Sequence, residues 1–244
     1  MAVGEFFFTP LVLYIIPKYC HDEFFVDLNF FHVVCLKIAL SKLLGYFIVA
    51  LASIAKLPQI IKVLRASSVE GLSLLSFITE LTTMTGTFSY SSARGFPFST
   101  WGESLFKAIQ TCFLVMLFFY YSSRPLAAVL FPFLYGAIVY VVLSGLTPIA
   151  VLVQLVSLNI LFLSISRVSQ IATNFRNGHT GQLSFVMVVM LLFNHAARIF
   201  TTLQETGDKY MLVTFIISTI FNVTMVTQIL YYWNVNIDEQ KKRA

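Results

Sequence analysis

Glu80 and Arg198 are the charged side chains that fall furthest inside long apolar stretches of this sequence. Glu80 stands nine residues after Gly71. At 1.5 Å per residue that places it about 14 Å along a helix, near the middle of a bilayer core of about 30 Å. A lone ionised carboxylate there is strongly disfavoured, so a partner or a bound proton is expected. Such a group serves as an acceptor for sugar hydroxyls, as a protonatable switch, or as a neutral acid bonded to a neighbouring helix. Arg198 can grip a lipid phosphate with its planar fork or extend to the headgroups. Asn194, four residues before it, shares its helix face. Gln154, Asn159 and Asn222 add amides at mid-span, which either meet a polar ligand or tie helices together. These six residues are the candidate contacts for a polar head. His195 reads as a packing residue and Lys107 as a lysine that reaches outward. No nucleophile–base arrangement, metal-ligand spacing or phosphate loop is present in the sequence. Neither covalent catalysis nor a metal or cofactor is expected.

The elements that must position these groups follow from composition. Only 11% of the 244 residues are charged and 58% are hydrophobic, against roughly 25% charged in an ordinary soluble domain. A globule of this size cannot bury that much apolar surface and still coat itself in charge. A soluble enzyme is excluded. The net charge of +5 forms no basic stripe on a soluble face, so a nucleic-acid partner is not expected. The partner implied is membrane lipid.

Seven spans are expected, at about 38–57, 71–91, 103–122, 126–144, 148–168, 182–202 and 210–232. They make an all-α membrane protein with short connections. Residues 1–36 form a non-spanning, interfacial N-terminal segment. It lacks the basic start and small-residue cleavage site of a signal peptide. With Lys56 and Arg167, at the very ends of their spans, counted with the loops, nine Lys and Arg lie on the side of the C-terminus and four on the other. The positive-inside rule then places the C-terminus in the cytosol and the N-terminus across the membrane. Lys241 and Lys242, in the basic tail 234–244, have the spacing of a dilysine retrieval signal to the endoplasmic reticulum. A plain basic anchor is the alternative. Cys20 and Cys35 can pair if the N-terminus is lumenal, or can remain free; Cys112 reads as packing. Gly86, Gly136 and Gly145 read as close-packing or turn positions.

The chain repeats itself at an offset of 111 residues. Ser53-Ile54 falls on Ser164-Ile165, Gln59-Ile60 on Gln170-Ile171, Arg65 on Arg176, Leu72-Ser73 on Leu183-Ser184 and Tyr120-Tyr121 on Tyr231-Tyr232. The architecture is therefore 3+1+3. A first triplet over 37–124 and a second over 146–233 are joined by a linker helix at 125–145, which restores the second triplet to the orientation of the first.

At the end of the first span stand Pro58 and Gln59, followed by Ser68-Val69-Glu70-Gly71-Leu72-Ser73. The proline can break the helix, and the glutamine can bond the freed backbone or a ligand. The matching pair in the second half is Ser169 and Gln170, so the proline is missing there and the two hinges are unequal. This pattern resembles the Pro-Gln-loop repeat family, which includes the SWEET-type sugar exporters and the lysosomal cystine exporter. Further stretches are similar to its mannose-P-dolichol utilization branch. They are Phe96-Pro97-Phe98-Ser99, His179 to Ser184, Ala197 to Thr201 and Gln204-Glu205-Thr206-Gly207-Asp208. That resemblance implies an endoplasmic-reticulum membrane protein needed for lumenal use of dolichol-phosphate-mannose and dolichol-phosphate-glucose. These donors serve N-glycan assembly, O- and C-mannosylation and GPI-anchor assembly. The implied partners are the dolichol-phosphate-linked monosaccharide and lumenal glycosyltransferases. Two alternatives stand beside it: a small-solute transporter with proton coupling through Glu80, and a membrane scaffold that transports nothing.

Overall fold

The structure, a computed structural model, describes residues 12–13, 15–180 and 183–233. Lys241 and Lys242, expected as a retrieval signal, lie outside the described residues. Among the described residues the elements are all helical: α1 (Lys18–Phe25), α2 (Val33–Ile54), α3 (Leu57–Ala66), α4 (Leu74–Ala93), α5 (Phe98–Tyr121), α6 (Pro125–Leu143), α7 (Ile149–Asn177), α8 (Phe185–Glu205) and α9 (Lys209–Tyr231). The seven expected spans correspond to α2 and α4 to α9. Six stretches are long and apolar enough to cross a membrane, with α2 and α3 taken together as one. The helix that falls short is α4, which carries nine serines and threonines. It hides them in two ways. The hydroxyls of Thr79, Thr82, Thr85, Thr87 and Ser91 each return to the carbonyl four residues back, at 2.6–2.9 Å. The helix is also packed between α5, α7 and the linker α6.

The repeat is visible in the helix boundaries. Leu74 and Phe185 begin α4 and α8, Phe98 and Lys209 begin α5 and α9, and Ala66 and Asn177 end α3 and α7. Each of these pairs is separated by the same 111 residues. Equivalent serines cap equivalent helices: Ser73 accepts from the Ser76 N–H and Ser184 from the Met187 N–H, both at 3.4 Å. The turns fall at two ends. Gly95, Gly145 and Gly207, all at positive φ, turn the chain at one end, and Gly71 and Gly178 turn it at the other.

Four expectations are corrected. The first span begins at Val33 rather than 38, because His32 caps it through Cys35 N–H. Residues 57–66, read as loop, form α3. The break between α2 and α3 lies at Ala55-Lys56, where Pro58 supplies no N–H to continue the ladder. The fifth span does not end at 168. With Ser169 in place of the proline, α7 runs unbroken through Ser169 and Gln170 to Asn177, capped by Gly178 at φ 64°. Gly136 is exposed, with open space where a Cβ would stand, so it is neither turn nor close contact. At Gly86, by contrast, a Cβ would stand 3.3 Å from the Leu155 backbone. Cys20 and Cys35 are disulfide-bonded, joining α1 to the first turn of α2. Cys112 is a free thiol that packs against the α4–α5 core.

Candidate functional site

A cavity of about 230 Å³ lies between the two repeats, walled by α4, α5, α7, α8 and α9. Its lining obeys the repeat. Met84 and His195, Thr100 and Met211, Glu103 and Thr214, Ser104 and Phe215, Lys107 and Ser218 are each equivalent positions, and all ten border it. The cavity therefore sits on the pseudo-twofold axis. The two halves supply different chemistry. The charges Glu103 and Lys107 of the first repeat face the hydroxyl residues Thr214 and Ser218 of the second.

The electrostatics favour an anion. Glu103 is the carboxylate of the wall, and two cations share it: Arg198 Nη2 at 3.3 Å and Lys107 Nζ at 3.7 Å. Arg167 also borders the cavity, and its Nη1 rests against Met225 Sδ at 3.8 Å. Two lysine and arginine side chains thus line the space opposite one acid, before Arg198 is counted. Asn159, Asn194 and His195 add polar groups. Asn159 Nδ2 donates to Thr87 Oγ1 at 3.4 Å across the α4–α7 seam. His195 Nδ1 lies 2.8 Å from Asn222 Nδ2. With the amide donating, a neutral ring carries its proton on Nε2.

The six candidate contacts separate on this geometry. Asn159 and Asn194 line the cavity. Asn222 is buried behind it and holds His195. Arg198 is wholly buried, with Nη1 donating to the Ser99 carbonyl at 2.9 Å. It is buried away from headgroups, its Nε and Nη2 make no hydrogen bond among the described residues, and through Nη1 and the Glu103 ion pair it ties α8 to α5. Gln154 is exposed on the outer face of α7. The inward stripe of that helix is Leu152, Val156, Asn159, Leu163 and Arg167, and Gln154 is off it. Glu80 is not in the cavity. Because α4 starts at Leu74, Glu80 is only six residues, about 9 Å, from the helix start. Its partner is Lys56, at 2.7 Å, reaching from the α2–α3 break.

The Pro-Gln pairs also behave differently from expectation. Gln59 is half-buried, and the broken backbone is capped by Gln110 of α5. Its Oε1 accepts from Lys56 N–H at 2.8 Å, and its Nε2 donates to the carbonyls of Ala52 at 2.8 Å and Ser53 at 3.1 Å. In the second repeat the equivalent position is Phe221, since no break needs a cap. There Gln170 donates to Asn174 at 2.9 Å, and Asn174 to Gln228 at 3.0 Å, fastening the long end of α7 to α9. Lys107 pairs with Glu103 instead of reaching outward.

At the Gly95 and Gly207 end, polar contacts cross between the repeats. Glu205 of α8 accepts from Lys42 Nζ at 2.8 Å, Ser41 Oγ at 2.8 Å and Ser99 Oγ at 2.6 Å. Asp208 caps α9 through Met211 N–H at 2.9 Å and accepts from Tyr90 Oη at 2.6 Å. Between them Gly207 turns the chain at φ 60°. The Gln204–Asp208 stretch is thus a clamp that closes this end. Sequence reasoning does not single out Glu103, Glu205, Lys42 or Gln110. A Glu and Lys four apart within an apolar run is the available sign for the first; Gln110 has none.

The family profile described as PQ loop repeat matches residues 40–100 and 151–211, together half of the chain. Human solute carrier family 66 member 3 is 27% identical over 198 residues, covering 80% of this chain and 95% of that protein. The 3.7 Å structure of a eukaryotic SWEET transporter superposes with a TM-score of 0.59 at 13% identity, over 80% of this chain and 96% of that one, a likeness of fold alone. Two matched repeats, related by the same offset that places the cavity on their axis, make this chain a member of the PQ-loop repeat family.

Proposed function

We propose that the protein makes dolichol-phosphate-mannose and dolichol-phosphate-glucose usable on the lumenal face of the endoplasmic reticulum, by taking the phosphosugar head into the central cavity. The observation that carries this is the charge of the wall: Lys107 and Arg167 against the single carboxylate Glu103, with Asn159, Asn194, Thr214 and Ser218 beside them. Cations suit a phosphodiester, and amides and hydroxyls suit a sugar ring. A volume of about 230 Å³ lies just below the usual range for drug-sized ligands, which suits one monosaccharide and excludes an oligosaccharide. The prenyl chain stays in the bilayer.

The N-terminus is lumenal and the C-terminus cytosolic in this reading. The Cys20–Cys35 disulfide suits an oxidising compartment, and Lys56, Lys62, Arg65, Arg124 and Arg176 gather at the opposite end. The tail with Lys241 and Lys242 is then placed for retrieval. No covalent step is needed, so the protein is not an enzyme; lumenal glycosyltransferases receive the lipid it delivers.

A second reading, a small-solute transporter, draws on the similarity to solute carrier family 66 member 3. The two are separated by photo-crosslinking of a dolichol-phosphate-mannose analogue to the purified protein. Labelling of α5 and α8 that is competed by dolichol-phosphate-mannose and not by free mannose supports the first. Competition by free mannose alone supports the second.

A further inference from the structure

A second pocket, of about 450 Å³, lies outside the bundle at the Gly95 end, between the end of α4, the α6–α7 turn and the start of α7. Three features there call for an anion. Arg94 borders it, is exposed and makes no ion pair among the described residues. The 29-residue α7 begins at it, and since Val151 and Leu152 N–H both turn to the Pro148 carbonyl, the N–H groups of Ile149 and Ala150 have no intrahelical acceptor. Ser89, which also borders the pocket, is fully buried, and its Oγ finds no hydrogen-bond partner. The hydroxyls of Thr85, Thr87 and Ser91 return to their own helix, whereas that of Ser89 does not.

The pocket does not stand alone. Val142 borders both it and an apolar groove of about 320 Å³ that runs along the membrane-facing side of α4, α6 and α7, past Leu81, Leu134, Ile138 and Leu155. A polar, cation-bearing recess that meets an apolar furrow at Val142 matches a phosphate head and its hydrocarbon chain. We infer that this seam binds a phosphate-headed membrane lipid, with the phosphate held by Arg94, the α7 N-terminus and Ser89 and the chain in the groove. The site is separate from the central cavity and does not depend on the reading of that cavity.

The test uses the full-length protein in nanodiscs of phosphatidylcholine containing either phosphatidic acid or diacylglycerol with the same chains. Native mass spectrometry reads the lipid retained. Phosphatidic acid is retained by the wild type and diacylglycerol is not. Arg94→Gln, on an exposed position, weakens retention at least about tenfold, the loss of one charge-assisted contact, and Ile138→Trp weakens it by filling the groove. Lys107→Gln leaves it unchanged, which separates this site from the cavity. Equal retention by Arg94→Gln and wild type, or equal retention of diacylglycerol, overturns the proposal. Displacement of the lipid by millimolar inorganic phosphate also overturns it, since that marks a free-anion site.

Discussion

Lys42 and Glu205 meet at 2.8 Å across the seam between the two repeats, and the Glu205 side chain is only 4% exposed. Ser41 and Ser99 donate to the same carboxylate. This clamp and the Tyr90–Asp208 bond join the halves at one end, so the cavity between them is sealed there by polar contacts that must part for that end to open.

Replacing one partner of a buried pair leaves the other unpaired. Glu205→Leu is expected to destabilise the protein by roughly 3 kcal/mol. The double variant Lys42→Met with Glu205→Leu should recover much of that loss, because both desolvated charges are gone. Thermal unfolding of the single and double variants in detergent measures the coupling. Additive losses would show that the pair does not act as a unit.

The break after α2 depends on Gln110. Gln110→Leu strips the Lys56 N–H and the Ala52 and Ser53 carbonyls of their partner, a cost of roughly 2 kcal/mol. Pro58→Ala restores a backbone N–H and lets α2 run on as α7 does. The double variant should therefore lose less stability than the two single losses combined. Circular dichroism melts report it.

Lys107 is 28% exposed and stands 3.7 Å from Glu103, a pair worth under about 1 kcal/mol. Lys107→Gln should leave the melting temperature close to wild type while reducing dolichol-phosphate-mannose binding about tenfold or more. Glu103→Gln should differ: it strands the buried Arg198, so stability and binding fall together. Paired melting and binding curves distinguish the two.

The disulfide closes a 15-residue separation, for which loop entropy predicts roughly 3 kcal/mol. Denatured, unreduced protein from membranes should take up one maleimide label, at Cys112, and three after reduction. Labelling at three sites without reduction would place Cys20 and Cys35 in a reducing compartment.

Much of the fold is readable in the sequence because bilayer span and helix rise leave few options, and because the repeat is ungapped. Ser73 and Ser184, or the Tyr-Tyr pairs, announce equivalent helix ends without any tertiary information. The site is harder. Glu80 draws attention as a lone acid, yet its partner Lys56 reads as a loop cation, since a helix break cannot be placed to the residue from sequence. Arg167 reads as a loop cation in the same way, because the fifth span is expected to end beside it. Gln154 and Asn159 look alike as mid-span amides; only the inward stripe of α7 tells them apart. Arg198 looks available because its burial by α5 is a contact between segments nearly a hundred residues apart in sequence.

The central claim is that the cavity on the axis accepts the head of a dolichol-phosphate sugar. Proteoliposomes with labelled dolichol-phosphate-mannose in one leaflet measure its protein-dependent movement to the other. Movement that saturates with lipid and is lost in Lys107→Gln is the predicted result. Uptake of free mannose without movement of the lipid, or movement at the wild-type rate in Lys107→Gln, would contradict it.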